Sequence, residues 1–306
     1  MSYRFTLEPY KSMKNIYHCP NCNKKTFTRY IDTETNEYLD NNVGRCSREI
    51  KCGYHYKPKD FFENNKYFNI PRTIKQKPKL TKTETKISYI DYSELIATIS
   101  NNKNNNNFIY FLEMQFGNKI TQQLVEKYKI GTSNHWNKAT IFWQIDINNK
   151  IRTGKVMLYD KNGSRVKKPY NHINWYHKIK PSNKIGNSSF NLKQCLFGEH
   201  LLKQKTKTVA LVESEKTAII SSIFFPEFIW LATGGLSNLS FEKTKVLNHR
   251  NVILFPDLNA LHKWKVKANK LSPLINIKIY KDLEKIAGNK EKNKGYDIAD
   301  YLINLT

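Results

Sequence analysis

The chain is short of acids: 26 Asp plus Glu stand against 51 Lys plus Arg among 306 residues, a formal net charge of +25. Lys, Asn, Ile and Tyr are all abundant and all use AT-rich codons, so part of the Lys excess is nucleotide bias. Bias does not account for the scarcity of acids. A field of this sign calls for a polyanionic partner, and nucleic acid suits it better than a membrane surface. Long hydrophobic runs are missing too. No stretch nears the roughly 20 apolar residues of a membrane span, and the opening MSYRFTLEPYKSMK lacks the apolar core of a secretory signal. The expectation is a cytoplasmic protein without membrane attachment. Cysteine is sparse, five in all, yet four crowd between positions 19 and 52, which fits a metal site in a reducing compartment better than a disulfide framework. No P-loop is present, so a helicase partner would be a separate protein. There is no internal repeat. With 39% apolar and 13% aromatic residues, the chain can still build cores, and its length allows two or three compact units.

Composition divides the chain into four regions. Residues 1–66 hold the cysteine cluster and strand-like alternation over 26–31. Residues 67–107 read as a linker, Lys, Thr and Pro rich over 67–87, then a short helix over 91–99 and an Asn-rich loop over 101–107. Residues 108–207 form a basic mixed α/β middle region. Helices over 108–116 and 119–128 are expected to stop at Gly117 and Gly131, and strands over 139–147 and 151–159 to flank the turn Asn148-Asn149-Lys150. Residues 208–306 alternate apolar strands with helices, the pattern of a parallel sheet with flanking helices. The fold class is therefore multidomain, α+β and α/β.

The cysteines are spaced Cys19-x2-Cys22 and Cys46-x5-Cys52. Two thiolate pairs about two dozen residues apart are the usual arrangement of a zinc ribbon, with Pro20 and Gly53 where its knuckles turn. The looser second pair leaves room for His55 or His18 to replace one thiolate. Four protein ligands leave no open position, so the zinc is expected to be structural, and a region this small needs such a staple to fold. Its basic and aromatic neighbours suit contact with single-stranded DNA, or form an ordinary solvated face.

Between 161 and 207 there are eleven Lys or Arg and one acid, Glu199, interleaved with aromatics such as Tyr170 and Trp175. Arg165, Lys167 and Lys168 could follow a phosphate backbone while Trp175 stacks on an unpaired base, as a channel for a single strand or a DNA/RNA hybrid requires. The alternative keeps Trp175 in a core and leaves only the charge exposed. Arg152 and Lys155, within Arg-Thr-Gly-Lys on an expected strand, either face nucleotide phosphates or form the polar face of a half-exposed sheet.

The most informative segment is VALVESEKTA, where a buried strand over 209–212 ends in Glu213 and a helix follows. Asp257 occupies the same position after the strand over 252–255. Ligands of open α/β sheets sit beyond the carboxyl ends of strands, and two hard oxygen ligands at adjacent strand ends would hold Mg²⁺ or Mn²⁺. Between them, Thr233-Gly234-Gly235 could let backbone N–H groups approach a phosphate. Lys216 could neutralise a phosphate at the start of its helix, or with Glu215 simply solvate it.

These segments resemble a toprim domain, the metal-binding α/β unit of bacterial primases, phage primase-helicases, topoisomerases and some nucleases. The order of zinc ribbon, basic middle region and toprim is similar to bacterial primases. More broadly, VGRC, CGYH, FWQID, RTGK, CLFGEH, VESEKTA and FPDLN resemble a primase-like family encoded on mobile genetic elements. The resemblance implies that Glu213 is the acid-base or metal-linked glutamate and Asp257 the first aspartate of the DxD pair. Asn259 stands at the second, where it would ligate Mg²⁺ without charge, and Asp297 is the compensating downstream acid. The function expected is a DNA primase-like nucleotidyltransferase acting on single-stranded DNA with nucleoside triphosphates. The alternatives are a catalytically weak nucleic-acid-binding protein in replication or transfer of the element, and a toprim nuclease.

Overall fold

The computed structural model describes residues 3–10, 12–64, 86–100, 105–179 and 190–305. The linker expected over 67–87 lies outside the described residues except at its last two positions, and so does the start of the Asn-rich run. The chain divides into two compact units, residues 1–81 and 82–306. Among the described residues, no helix is long and apolar enough to cross a membrane.

The first unit is an antiparallel ribbon of β1 (Phe5–Leu7), β2 (Tyr17–His18), β3 (Lys25–Asp32), β4 (Gly44–Cys46) and β5 (His55–Tyr56), followed by α1 (Pro58–Asn64). α1 opens on Pro58, whose fixed φ suits a first helical position, a signal the sequence reading passed over. Phe27 is fully buried, and β4 can cross it only at a glycine. A Cβ on Gly44 would lie 2.4 Å from the Phe27 ring and 2.3 Å from the Thr28 carbonyl.

In the second unit, α2 (Tyr92–Ser100) and α3 (Asn107–Tyr128) precede the antiparallel sheet β6 (Ile130–Ser133), β7 (Ala139–Ile145), β8 (Ile151–Met157) and β9 (Ile173–Trp175), which ends in the short α4 (Tyr176–Ile179). The expected hairpin is present: Asp146 Oδ1 accepts from the N–H groups of Asn148 and Lys150, and Asn149 takes φ 59°. α3 breaks at Gly117 (φ 78°) as expected. The second stop differs. Lys129 caps the helix in the left-handed region, and Gly131 lies within β6, where a Cβ would sit 2.5 Å from Thr98 Oγ1. The Asn-rich run keeps loop backbone at 105–106, and only its last residue, Asn107, enters α3. Buried Asn106 caps α3 through its Oδ1 while its Nδ2 donates to Gly131 O and Thr132 Oγ1, so its polar groups are satisfied.

The parallel sheet comprises β10 (Val209–Val212), β11 (Ile229–Ala232), β12 (Asn251–Leu254) and β13 (Asn276–Ile279). Between β10 and β11 lies α5 (Glu215–Phe224), and α6 (Phe241–Thr244) precedes β12. α7 (Leu261–Leu271) links β12 to β13, and α8 (Asp282–Ile286), α9 (Asn289–Lys294) and α10 (Ile298–Ile303) follow. Strand order is β11-β10-β12-β13, all parallel. The chain leaves β10 in one direction and returns to its other side for β12, so the order reverses between those two strands. One core joins both sheets: Phe108, Leu112 and Phe142 pack in the same cluster as Val212, Ile219 and Trp230.

Candidate active site and metal centre

The reversal opens a crevice at the carboxyl ends of β10 and β12, where ligands of such sheets bind. Buried Glu213 follows β10 directly and its carbonyl accepts from Gly234 N–H at 2.9 Å. Ser214 caps α5, accepting from Thr217 N–H. Asp257 lies three residues beyond β12. Asp297 and Asp300 form a reciprocal capping box on α10, and Thr217 Oγ1 donates to Asp297 Oδ2 at 2.5 Å. Three distant stretches of chain thus converge.

Their charges act on one another. Burial pushes the Asp257 carboxyl well above its ordinary range, and the charges of Glu213, Asp297 and Asp300 push it further, against Arg165. Some side-chain surface of Asp257 stays open, but its Oδ1 is buried with no hydrogen-bond partner among the described residues. Burial likewise raises Asp297, helped by Asp300 and opposed by the Thr217 hydroxyl and Lys216. The Lys216 ammonium is lowered by burial and raised by Asp300, Asp297 and Asp160; it donates to Gly163 O at 2.8 Å.

A divalent cation fits this set. The donors are hard oxygens, and the enclosed carboxylates repel one another, Arg165 and Lys216 offsetting that only in part. They form no closed cage: among the described residues, only the four cysteines bring three or more such ligand atoms within 4.8 Å of one another. Mg²⁺ needs none, being held by one or two carboxylates with water and substrate phosphates completing its shell. Asn259, in the left-handed region (φ 68°), turns its Nδ2 to Lys292 O at 2.6 Å.

The Gly-Gly turn is not a phosphate cradle. Gly234 N–H is taken by Glu213 O and Gly235 N–H by Thr233 Oγ1, because Thr233 closes the turn on itself. What the turn receives is Lys155. From β8, its Nζ reaches Gly234 O at 3.1 Å and Glu215 Oε2 at 3.0 Å, with Glu215 1% exposed. This buried pair ties the antiparallel sheet to the first turn of α5. Its partners are 60 residues apart, so no local pattern announces it. Lys155→Met removes the direct partner of a buried carboxylate, leaving only the charge of Lys243 beside it, and is expected to cost about 3 kcal/mol in denaturant unfolding, most of it regained in Lys155→Met/Glu215→Leu.

Arg152 turns away from the crevice, bonding Asp146 at 2.7 Å and lying over the Tyr89 ring. Arg165, Lys167 and Lys168 are exposed, and Trp175 is half-buried. Folding brings two histidines that are far apart in the sequence into a row with aromatics: His135 on Trp136 (4.4 Å between centroids), Trp136 against His172 (5.2 Å), and His172 stacked on Tyr170 (4.3 Å). Asp300 was legible, since Asp-x-x-Asp before an apolar run is a helix-start signal.

In the first unit, Cys19 Sγ lies 3.7 Å from Cys52 Sγ and Cys22 Sγ 4.0 Å from Cys46 Sγ. These are too long for a disulfide's roughly 2.05 Å and match the edge of about 3.8 Å implied by tetrahedral Zn–S bonds of about 2.3 Å. Each knuckle closes on a positive-φ residue, Asn23 after the first pair and Gly53 after the second. The Lys24 backbone N–H draws the Cys22 thiol down to about 6, favouring the thiolate that metals bind. Cys52 completes the set. His55 bonds the Tyr30 hydroxyl at 2.9 Å and His18 the Asn23 carbonyl, so neither histidine is needed.

A mixed α/β protein with a four-cysteine ribbon and an enclosed carboxylate cluster at a strand-order reversal is the class these features define. The chain belongs to the family described as Domain of unknown function (DUF6371), whose model matches residues 106–258, half of its length. A zinc beta-ribbon finger model matches residues 3–67. Comparison with curated proteins yields no match. Among solved structures, the chain is similar to the primase fragment of the bacteriophage T7 primase-helicase protein, at 14% identity and TM-score 0.38, covering 91% of this chain and 93% of that one. It is also similar to the zinc-binding and RNA polymerase domains of the Aquifex aeolicus primase, at 11% identity and TM-score 0.39, covering 98% and 83%. Likenesses this loose leave the chemistry to the side chains themselves.

Proposed function

We propose that this protein is a primase-like nucleotidyltransferase with a toprim-type site, joining nucleoside triphosphates on a single-stranded DNA template. One observation carries the reading: the enclosed, mutually repelling carboxylate cluster around Asp257, at the strand-order reversal. Glu213 and Asp257 would hold Mg²⁺ or Mn²⁺, with Asp297 raising the local negative charge and Asn259 at the rim. When bound, the cation neutralises triphosphate charge and polarises the phosphorus under attack. The chain's own residues position and screen. Lys216, bonded to Gly163 O from the first turn of α5, would set one cation beside Asp297 and Asp300 and Arg165 a second near the acids, while the Lys155–Glu215 pair fixes that turn. The attacking 3′-hydroxyl forms the new ester as pyrophosphate leaves, a reaction that asks mainly for charge and alignment.

Template would follow Lys167 and Lys168 onto the row of Trp136, His172 and Tyr170, where bases can stack. Trp136→Ala and Tyr170→Ala are each expected to weaken binding of a single-stranded oligonucleotide by about 1–3 kcal/mol in fluorescence anisotropy. The salt slope should stay unchanged, because stacking releases no counterions. A DNA/RNA hybrid would occupy the same strip after synthesis.

Primer synthesis on mixed-sequence single-stranded DNA, with labelled nucleotides and Mg²⁺ or Mn²⁺, tests the reading. Product from the wild type that Glu213→Gln and Asp257→Asn both lose is the expected result. No product under any template would sink it. Asn259 favours a second reading, a catalytically weak DNA-binding protein of a mobile element, because its amide nitrogen is committed to Lys292 and the side chain brings no charge. That reading predicts salt-sensitive DNA binding which survives Glu213→Gln in the absence of synthesis. Cleavage of DNA without nucleotides would instead indicate a toprim nuclease.

A further inference from the structure

The opposite end of the parallel sheet, where β10 and β11 begin, carries a second basic feature. A cavity of about 610 Å³ is lined there by Lys127 and Lys129 at the end of α3, Lys203 and Lys207 before β10, His200, and Phe228 at the entrance to β11. Four cations face one acid, Glu126. Among the described residues, none of the four lysines forms an ion pair with a carboxylate. Burial pushes the Lys127 ammonium down, and the charge of Lys207 adds to it. Holding like charges together around a concavity is costly unless an anion fills it.

The wall is built rather than frayed. Arg250, 7% exposed, donates to Leu202 O at 2.6 Å and Gln204 O at 2.7 Å, pinning the turn that carries Lys203. His200, 8% exposed, meets Lys127 O through Nε2 at 3.0 Å. A carbonyl can only accept, so Nε2 carries the proton, and Nδ1 is left buried without a hydrogen-bond partner among the described residues. The lining is not wholly ionic. Half-buried Phe228 and Leu201 supply apolar surface, and Gln123 and Gln204 supply amides. Cations beside a flat apolar patch suit a ligand with an anionic chain and a planar head, and the volume falls within the roughly 300–1,000 Å³ of small-molecule sites.

We infer that this cavity binds a free phosphorylated small molecule of nucleotide size through its phosphates, at a site separate from the carboxylate crevice. ATP and inorganic tripolyphosphate, titrated calorimetrically into the full zinc-loaded chain at low salt in Mg²⁺-free buffer, provide the test. Leaving out Mg²⁺ and Mn²⁺ removes any contribution from a divalent cation at the carboxylates, so failure here and failure of primer synthesis are distinguishable. Saturable binding of both probes is expected, ATP the tighter through its base. Lys127→Gln/Lys203→Gln should weaken both at least tenfold, and Lys127→Arg/Lys203→Arg should keep them. No saturable binding, or saturable binding that the double Gln variant leaves unaffected, would overturn the inference. So would an oligonucleotide that displaces ATP and loses as much affinity in the double Gln variant, since a strand backbone would then be the occupant.

Discussion

Asp257→Asn should cut metal-dependent primer synthesis by about a thousandfold, the scale seen when a preorganised charge-stabilising group is removed, and should stabilise the metal-free protein at the same time. The two effects share one cause. Burial and three neighbouring carboxylates raise the Asp257 pKa in the folded state. The folded state therefore binds this proton more tightly than the unfolded state, and stability falls as pH rises from near 4 towards the folded-state value. Without added divalent cation the zinc-loaded wild type should melt lower at pH 8 than at pH 5. Asp257→Asn should flatten that slope and melt higher than wild type at pH 8, the gap closing towards pH 4. Added Mg²⁺ should raise the wild-type melting temperature at pH 8 and leave the variant where it was. A wild type whose melting ignores Mg²⁺ across this range would remove the cation from the cluster and the proposed chemistry with it.

Zinc removal should have the second large effect, confined to the first unit. Fully buried apolar side chains are few there, with Phe27 and Val43 joined chiefly by the thiols of Cys19 and Cys46. Structural zinc binding is worth about 10–16 kcal/mol in small fingers, more than such a core supplies. One zinc per chain is expected by atomic absorption. Cys46→Ser, or a strong chelator, should abolish it and expose residues 3–64 to protease, while the transition of the second unit persists in calorimetry. His55→Ala should keep the zinc, because its ring serves the Tyr30 hydroxyl instead. Loss of zinc in that variant would show the four-sulfur assignment to be incomplete.

The sequence made the parallel sheet legible because β10 and β11 are buried on both faces and read as apolar runs, while β12 and β13 are only partly covered. The carboxyl-end positions of Glu213 and Asp257 followed from that alone. Cys52 was ambiguous beside His55 until the backbone turned at Gly53. What stayed hidden depends on distance in the chain. Lys155 looked like a residue for phosphates and instead neutralises Glu215, a pairing across two sheets with no periodic trace. Gly131 looked like a helix stop because glycine serves both to end helices and to admit close packing. The row of Trp136, His172 and Tyr170 could not be read at all, since it exists only after β9 folds back beside β8.

The bond from Thr217 to Asp297 spans 80 residues of chain. Closing a loop of that length early in folding is entropically unfavourable, and contacts of high sequence separation form late. On the proposed function, a nascent or partly folded chain would display its basic surface before its acids have gathered, so that capacity to bind DNA would precede capacity to react. A tag or truncation that loosens α10 would return the mature protein to that earlier condition.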